Sequence, residues 1–152
     1  MTIAWIYLDK RTAAVEALKD YASMEYIIET CPDDIAEVRE QMTTVSSAFP
    51  TGMPRQKNPH AGEARLLASI DEIDVIKERY RCALEYMEWF GPAWDALSED
   101  EQFVLSECYL GDTGKQIDAI GNICEQFHIE RTSAYKRKGR ALNRLATLLY
   151  GK

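Results

Sequence analysis

Apolar residues return at every third or fourth position along most of this chain, and strict alternation is absent; α-helices with one buried face produce that spacing and strands do not. From Thr12 to Glu29 the apolar set is Val15, Leu18, Tyr21, Ala22 and Ile28, which predicts one amphipathic helix. Pro32 suits the first turn of a second helix, and Asp33 and Asp34 place negative charge where a helix N-terminus favours it. Ile35, Val38, Met42 and Val45 then follow at steps of 3, 4 and 3, a short heptad seam. A third helix is expected over 62–90, carrying Leu66, Ile70, Ile73, Lys77, Tyr80, Leu84 and Met87 in one phase, with Ile76 beside the polar Lys77. Gly91 and Pro92 end it. Its length invites a coiled coil, within the chain or between copies.

Between the second and third helices lies PTGMPRQKNPHAG, in which Pro50, Pro54, Pro59, Gly52 and Gly62 oppose helix. It reads as the connection of an antiparallel helix pair, or as a docking segment through Met53, Pro54 and Arg55. Beyond Pro92 the punctuation tightens. Ser98 and Glu101 have capping-box spacing before a helix that carries Phe103, Val104, Leu105 and Tyr109 and stops at Gly111. After the GDTG turn comes a helix with Ile117, Ile120, Cys124 and Phe127 on one face. His128, Ile129 and Glu130 interrupt it, and a last helix starts near Arg131 with Ala134, Ala141, Leu142, Leu145, Leu148 and Leu149 inward. Two helices joined by a turn of three or four residues are a helix-turn-helix arrangement.

Charge is divided unequally along the 152 residues. Before Lys115 there are 10 Lys and Arg against 22 Asp and Glu, a balance of −12; from Lys115 onward there are 8 against 3, a balance of +5, within a total of −7. Five of the fifteen residues in HIERTSAYKRKGRAL are Lys or Arg. A basic end on an acidic chain is the electrostatic footprint of contact with a polyanion, although cations near a helix C-terminus also serve its dipole.

Other function classes find little in the pattern. No run of about eighteen apolar residues is present and MTIAWIYLDKRT lacks a cleavage signal, so neither a membrane span nor a secretory leader is expected, and a cytoplasmic location is. Cys31, Cys82, Cys108 and Cys124 are widely spaced with no CxxC pair, which argues for reduced thiols over a zinc site. Asp71, Asp74 and Glu78 share a helix face with no nucleophile or catalytic histidine beside them, and neither His60 nor His128 completes a constellation. No enzyme activity, metal or cofactor is expected.

Stepping 100° per residue from Arg131 places Thr132, Ser133, Lys136, Arg140 and Asn143 away from the apolar stripe, with Arg137 and Arg144 flanking them. Lys138 falls inside the stripe, so its stem should pack while its ammonium reaches Glu101 or Glu107. Gly139 costs about 1 kcal/mol relative to alanine in an exposed helix interior. Close approach to a ligand or tolerance within a well-packed helix would each account for it.

The segments LSEDEQFVLSECYL and QIDAIGNICEQFHIERTSAYKRKGRALNRLATLLYG resemble region 4 of bacterial sigma factors, and the whole chain resembles the ArpU and sigma-like late-gene regulators of phages and prophages. The resemblance implies an all-α fold, with an N-terminal long-helix, coiled-coil-like hairpin over 1–92 and a C-terminal helix-turn-helix over 93–152. It implies transcription control through promoter DNA, read by the helix that begins near Arg131. Arg131, Thr132, Ser133 and Lys136 are the expected base contacts; Gln116, Arg137, Arg140 and Arg144 are the expected phosphate contacts. Two positions depart from the pattern: His128 stands where such turns often have glycine, and Arg137 where an apolar residue is common. One such helix binds weakly alone, so a homodimer through the long helices or attachment to RNA polymerase is expected. The competing class is a helical interaction adaptor that does not bind DNA.

Overall fold

A computed structural model describes residues 9–47, 60–111 and 116–151, and among them every regular element is helical. They are α1 (Lys10–Ser47), α2 (Ala61–Asp95), α3 (Glu99–Leu105), α4 (Gln116–Phe127) and α5 (Arg131–Tyr150). The wider π-helical turn Ser106–Leu110 continues α3. The Pro-containing segment through Pro59 and the turn 112–115 lie outside the described residues. The chain divides into two compact units, Met1–Met24 with Tyr86–Lys152, and Glu25–Glu85.

The first two expected helices are one. Asp9 opens α1, accepting from the Thr12 hydroxyl at 2.6 Å and the Thr12 N–H at 3.4 Å. The helix then runs through Pro32 without a break. The reason is phase: Ala14, Ala17, Tyr21, Met24, Ile28, Cys31, Ile35, Val38 and Met42 are all buried or half-buried at alternating steps of 3 and 4, on both sides of the proline. Pro32 follows buried Cys31 but points to solvent, where water can satisfy the carbonyl that loses its N–H partner.

In α2 the seam is shifted by about one residue from the expected one. Ser69, Ile73, Ile76, Tyr80, Ala83, Met87 and Phe90 turn inward at steps of 4 and 3, which puts Ile76 inside and Lys77 in solvent. Leu66, Ile70 and Leu84, expected on the seam, are 48%, 42% and 39% exposed. Nor does α2 stop at Gly91 and Pro92: it continues to Asp95 because Ala93 is buried and Trp94 packs on Phe90 and Tyr21, at ring separations of 6.0 and 5.9 Å. Burial outweighs the lost backbone bond there.

Along the chain the two units meet at Met24 and Glu25 and again at Glu85 and Tyr86, whereas the expected domain boundary lies between residues 92 and 93. Ala14, Ala17 and Leu18 from the start of α1 share one core with Phe90, Ala93, Leu97, Leu105, Ala141, Leu142 and Leu145. Tyr86 donates its hydroxyl to the Ala17 carbonyl and stacks on Phe90 at 5.2 Å; burial pushes its phenol pKa up. A second cluster joins Val104 and Cys108 to Ala119, Ile120, Ile123 and Ala134. Ser98 and Glu101 form the expected capping box: the Glu101 N–H donates to Ser98 Oγ at 3.3 Å, and the Ser98 N–H to Glu101 Oε2 at 2.9 Å. Among the described residues of the other unit, Cys31, Val38, Ile73 and Ala83 are the buried apolar ones. Asp71, Asp74 and Glu78 are exposed, with Glu78 bound to Arg81 at 2.6 Å, as a solvated face requires.

Candidate nucleic-acid interface

Three residues, His128, Ile129 and Glu130, separate α4 from α5. His128 has φ 52°, the left-handed conformation that usually selects glycine. The Ile129 N–H donates to the Cys124 carbonyl at 3.1 Å, and Cys124, Phe127 and Ile129 all pack on the second core cluster. This is a Schellman closure with its accompanying apolar contact, carried here by a histidine. A β-carbon in that conformation costs about 1–2 kcal/mol, and glycine gives back about 0.5–1 through its freer unfolded chain. His128 is exposed and its removal forfeits no packing. His128→Gly is therefore expected to stabilise the protein by up to about 1 kcal/mol, read as a higher urea midpoint. A lower midpoint would mean that the imidazole itself contributes to the turn.

With the turn set, α5 lays Ala134, Ala141, Leu142, Leu145, Ala146, Leu149 and Tyr150 into the core. Leu148, expected inward, is 42% exposed, because the buried stripe lies toward Ala146 and Tyr150. Arg131, Thr132, Ser133, Lys136, Arg140 and Asn143 are all exposed. Among the described residues, Arg131, Lys136 and Arg140 form no ion pair. Gln116 is the first residue of α4, where backbone N–H groups have no intrahelical acceptor.

Two of the expected phosphate contacts are already engaged. Arg137 lies over the Phe127 ring, with its guanidinium carbon 4.4 Å from the centroid, and stands 4.0 Å from Asp100. Arg144 donates to both oxygens of Glu101, at 3.1 and 3.3 Å, and to the Ala96 carbonyl at 3.4 Å. Burial alone would raise the Glu101 carboxyl; the Ser98 N–H and the Arg144 guanidinium outweigh it and hold the pKa below the usual range. Arg144 thus ties α5 to the start of α3. Lys138 is half-buried as expected, but its ammonium sits 5.1 Å from the centre of the Tyr109 ring rather than on a carboxylate. Both candidate acids are taken: Glu101 by Arg144, and Glu107 by the Asn122 amide at 3.1 Å.

The cation that opens α5 has no explanation in helix stability. A cation is favoured in the last turn and disfavoured in the first. Yet α5 opens on Arg131, has no acidic residue in its first turn and no basic one in its last. Dipole compensation therefore does not account for Arg131.

Two neighbours of this surface escaped the sequence reading. Tyr135 is 57% exposed although it borders the apolar stripe and follows buried Ala134. Arg11 brings Nη2 to within 3.9 Å of where a β-carbon on Gly139 would stand. No local signal announces a contact between residues so far apart in sequence. Among the described residues no group of His, Cys, Asp and Glu could hold a metal ion, and no helix is long and apolar enough to cross a membrane. The chain matches no protein family, no curated protein and no solved structure.

Proposed function

We propose that this protein is a sequence-specific DNA-binding transcriptional regulator of phage or prophage genes, similar to sigma factor region 4, in which α4 and α5 act as a helix-turn-helix. What carries the reading is the row Arg131, Lys136 and Arg140 on the N-terminal half of α5, exposed and without an ion pair among the described residues, the first of them in the turn where the helix dipole disfavours a cation. Recognition helices enter the major groove by that end. Arg131, Thr132, Ser133 and Lys136 then face base edges, while Arg140 meets a phosphate, together with the backbone N–H of Gln116 at the start of α4. Arg137 and Arg144 would have to leave Asp100 and Glu101 to reach the backbone, so their part is smaller. Mechanistically this is binding, without catalysis.

Few free cations mean modest affinity for one copy: each neutralised phosphate contributes a salt slope of about 0.9. Leu66, Ile70 and Leu84 lie on one exposed face of α2, which suits a homodimer that presents two copies of α5; RNA polymerase is the other source of added affinity. The test is a duplex selection followed by a salt titration of variants. Arg131→Ala should lose about 1–3 kcal/mol on the selected site and tolerate changes at one base pair, whereas Arg140→Ala should weaken binding to every duplex and flatten the slope by about one. A wild-type chain that binds no duplex even in low salt returns the adaptor reading.

A further inference from the structure

We infer that Arg11, at the start of α1, belongs to the same surface and grips a DNA phosphate beside the middle of α5. The inference rests on the DNA-binding reading and adds to it a cation from a different helix. It begins with the direction of two adjacent side chains. Lys10 donates to the Gly151 carbonyl at 3.1 Å, whereas the Arg11 guanidinium lies at Gly139. Those two points of α5 are twelve residues apart, about 18 Å at 1.5 Å per residue. Lys10 thus reaches along α5 toward its end, and Arg11 toward its cationic half. The start of α1 is held in place by Ala14, Ala17 and Leu18, which are buried in the same core as Ala141, Leu142 and Leu145.

Arg11 acts electrostatically on the nearby Asp9 carboxylate but is not ion-paired with it. It is exposed, and among the described residues no carboxylate lies within ion-pair distance of it. Asp9 turns its carboxylate to the hydroxyl and N–H of Thr12. On a helix, Gly139 is neighbour to Tyr135, Lys136 and Asn143. Those three are exposed while the fourth such neighbour, Leu142, is buried, so the guanidinium lies on one flank of the outward face, midway along α5. The far flank is different in kind, since there Asp100 and Glu101 hold Arg137 and Arg144. A phosphate backbone therefore meets a cation outside any ion pair on the Arg11 side and paired charge on the other.

Gly139 acquires a reason from the same geometry. A β-carbon would touch the guanidinium at 3.9 Å, an ordinary contact, but any longer side chain would occupy its place.

The experiment is a salt series on the full chain with the selected duplex and an unrelated one, comparing wild type, Arg11→Gln, Arg11→Lys and Arg140→Ala. Arg11→Gln should bind both duplexes about sixfold more weakly at 0.15 M salt, with a slope flatter by about one, and Arg11→Lys should restore both. The slope does not depend on the active fraction, so partial misfolding cannot imitate the result. If Arg11→Gln keeps the wild-type slope while Arg140→Ala flattens it, the inference is overturned and the DNA-binding reading stands. If the wild type binds no duplex, both fall.

Discussion

Phe90→Ala is expected to destabilise the unit that carries α5 by about 3–5 kcal/mol, the usual cost of emptying a large aromatic site in a packed core. Phe90 is fully buried. Its ring lies 5.2 Å from Tyr86, 5.5 Å from Tyr21, 6.0 Å from Trp94 and 6.4 Å from Trp89, so the substitution removes apolar area and four ring contacts at once. Collapse into the space is opposed, because the neighbouring positions Ala14, Ala17 and Ala93 are alanines that cannot extend to fill it. Urea unfolding followed by tryptophan fluorescence reports on this site, since Trp89 and Trp94 are in the same unit. With a denaturant slope of about 1–3 kcal/mol per molar, the midpoint should fall by roughly 2 M. A loss below about 1 kcal/mol would mean that the aromatic group does not hold the start of α1, α2 and α5 together. Partial loss has a functional reading too: α5 would remain helical in part, but the position of Arg11 beside Gly139 depends on this core.

The helical class and the capping box were legible because both are local. Ser98 and Glu101 satisfy each other's backbone within one turn, and nothing distant alters that. The turn at His128 was legible in position and, because His128 stands where such turns often have glycine, as a strained one; the packing of Cys124, Phe127 and Ile129 on the second core cluster holds it in the left-handed conformation. Seam phase was harder. In α2 the series beginning at Leu66 and the series beginning at Ser69 are both heptads, and only packing chooses the one that buries Ile76, Ala83 and Phe90. Weighting by hydrophobicity favoured the wrong series, since Ser69 and Ala83 are small and Leu66 and Leu84 are large. In the candidate site, the outward set on α5 followed from periodicity alone. The engagement of Arg137 by Phe127 and of Arg144 by Glu101 did not, because both depend on which helix stands alongside.

Pro32→Ala is the opposite experiment, a substitution that should stabilise. In a helix interior proline removes one backbone hydrogen bond and presses its ring on the preceding turn, at a cost of about 3 kcal/mol. Against this, proline restricts the unfolded chain, which returns about 0.4–1 kcal/mol that alanine gives up. Pro32 is exposed and lies outside the seam that carries Cys31 and Ile35, so no packing is forfeited. The balance predicts a gain of roughly 2 kcal/mol. Circular dichroism should detect it as a higher midpoint for the helical signal. Tryptophan fluorescence should move less, because Pro32 is in the Glu25–Glu85 unit, whereas Trp89 and Trp94 are not. Had α1 been two helices meeting at Pro32, alanine would remove a favourable first-turn residue and the midpoint would stay or fall. The sign of one substitution therefore decides whether continuity of apolar phase governs this region, as the run from Met24 through Ile28, Cys31, Ile35 and Val38 requires, or whether proline does.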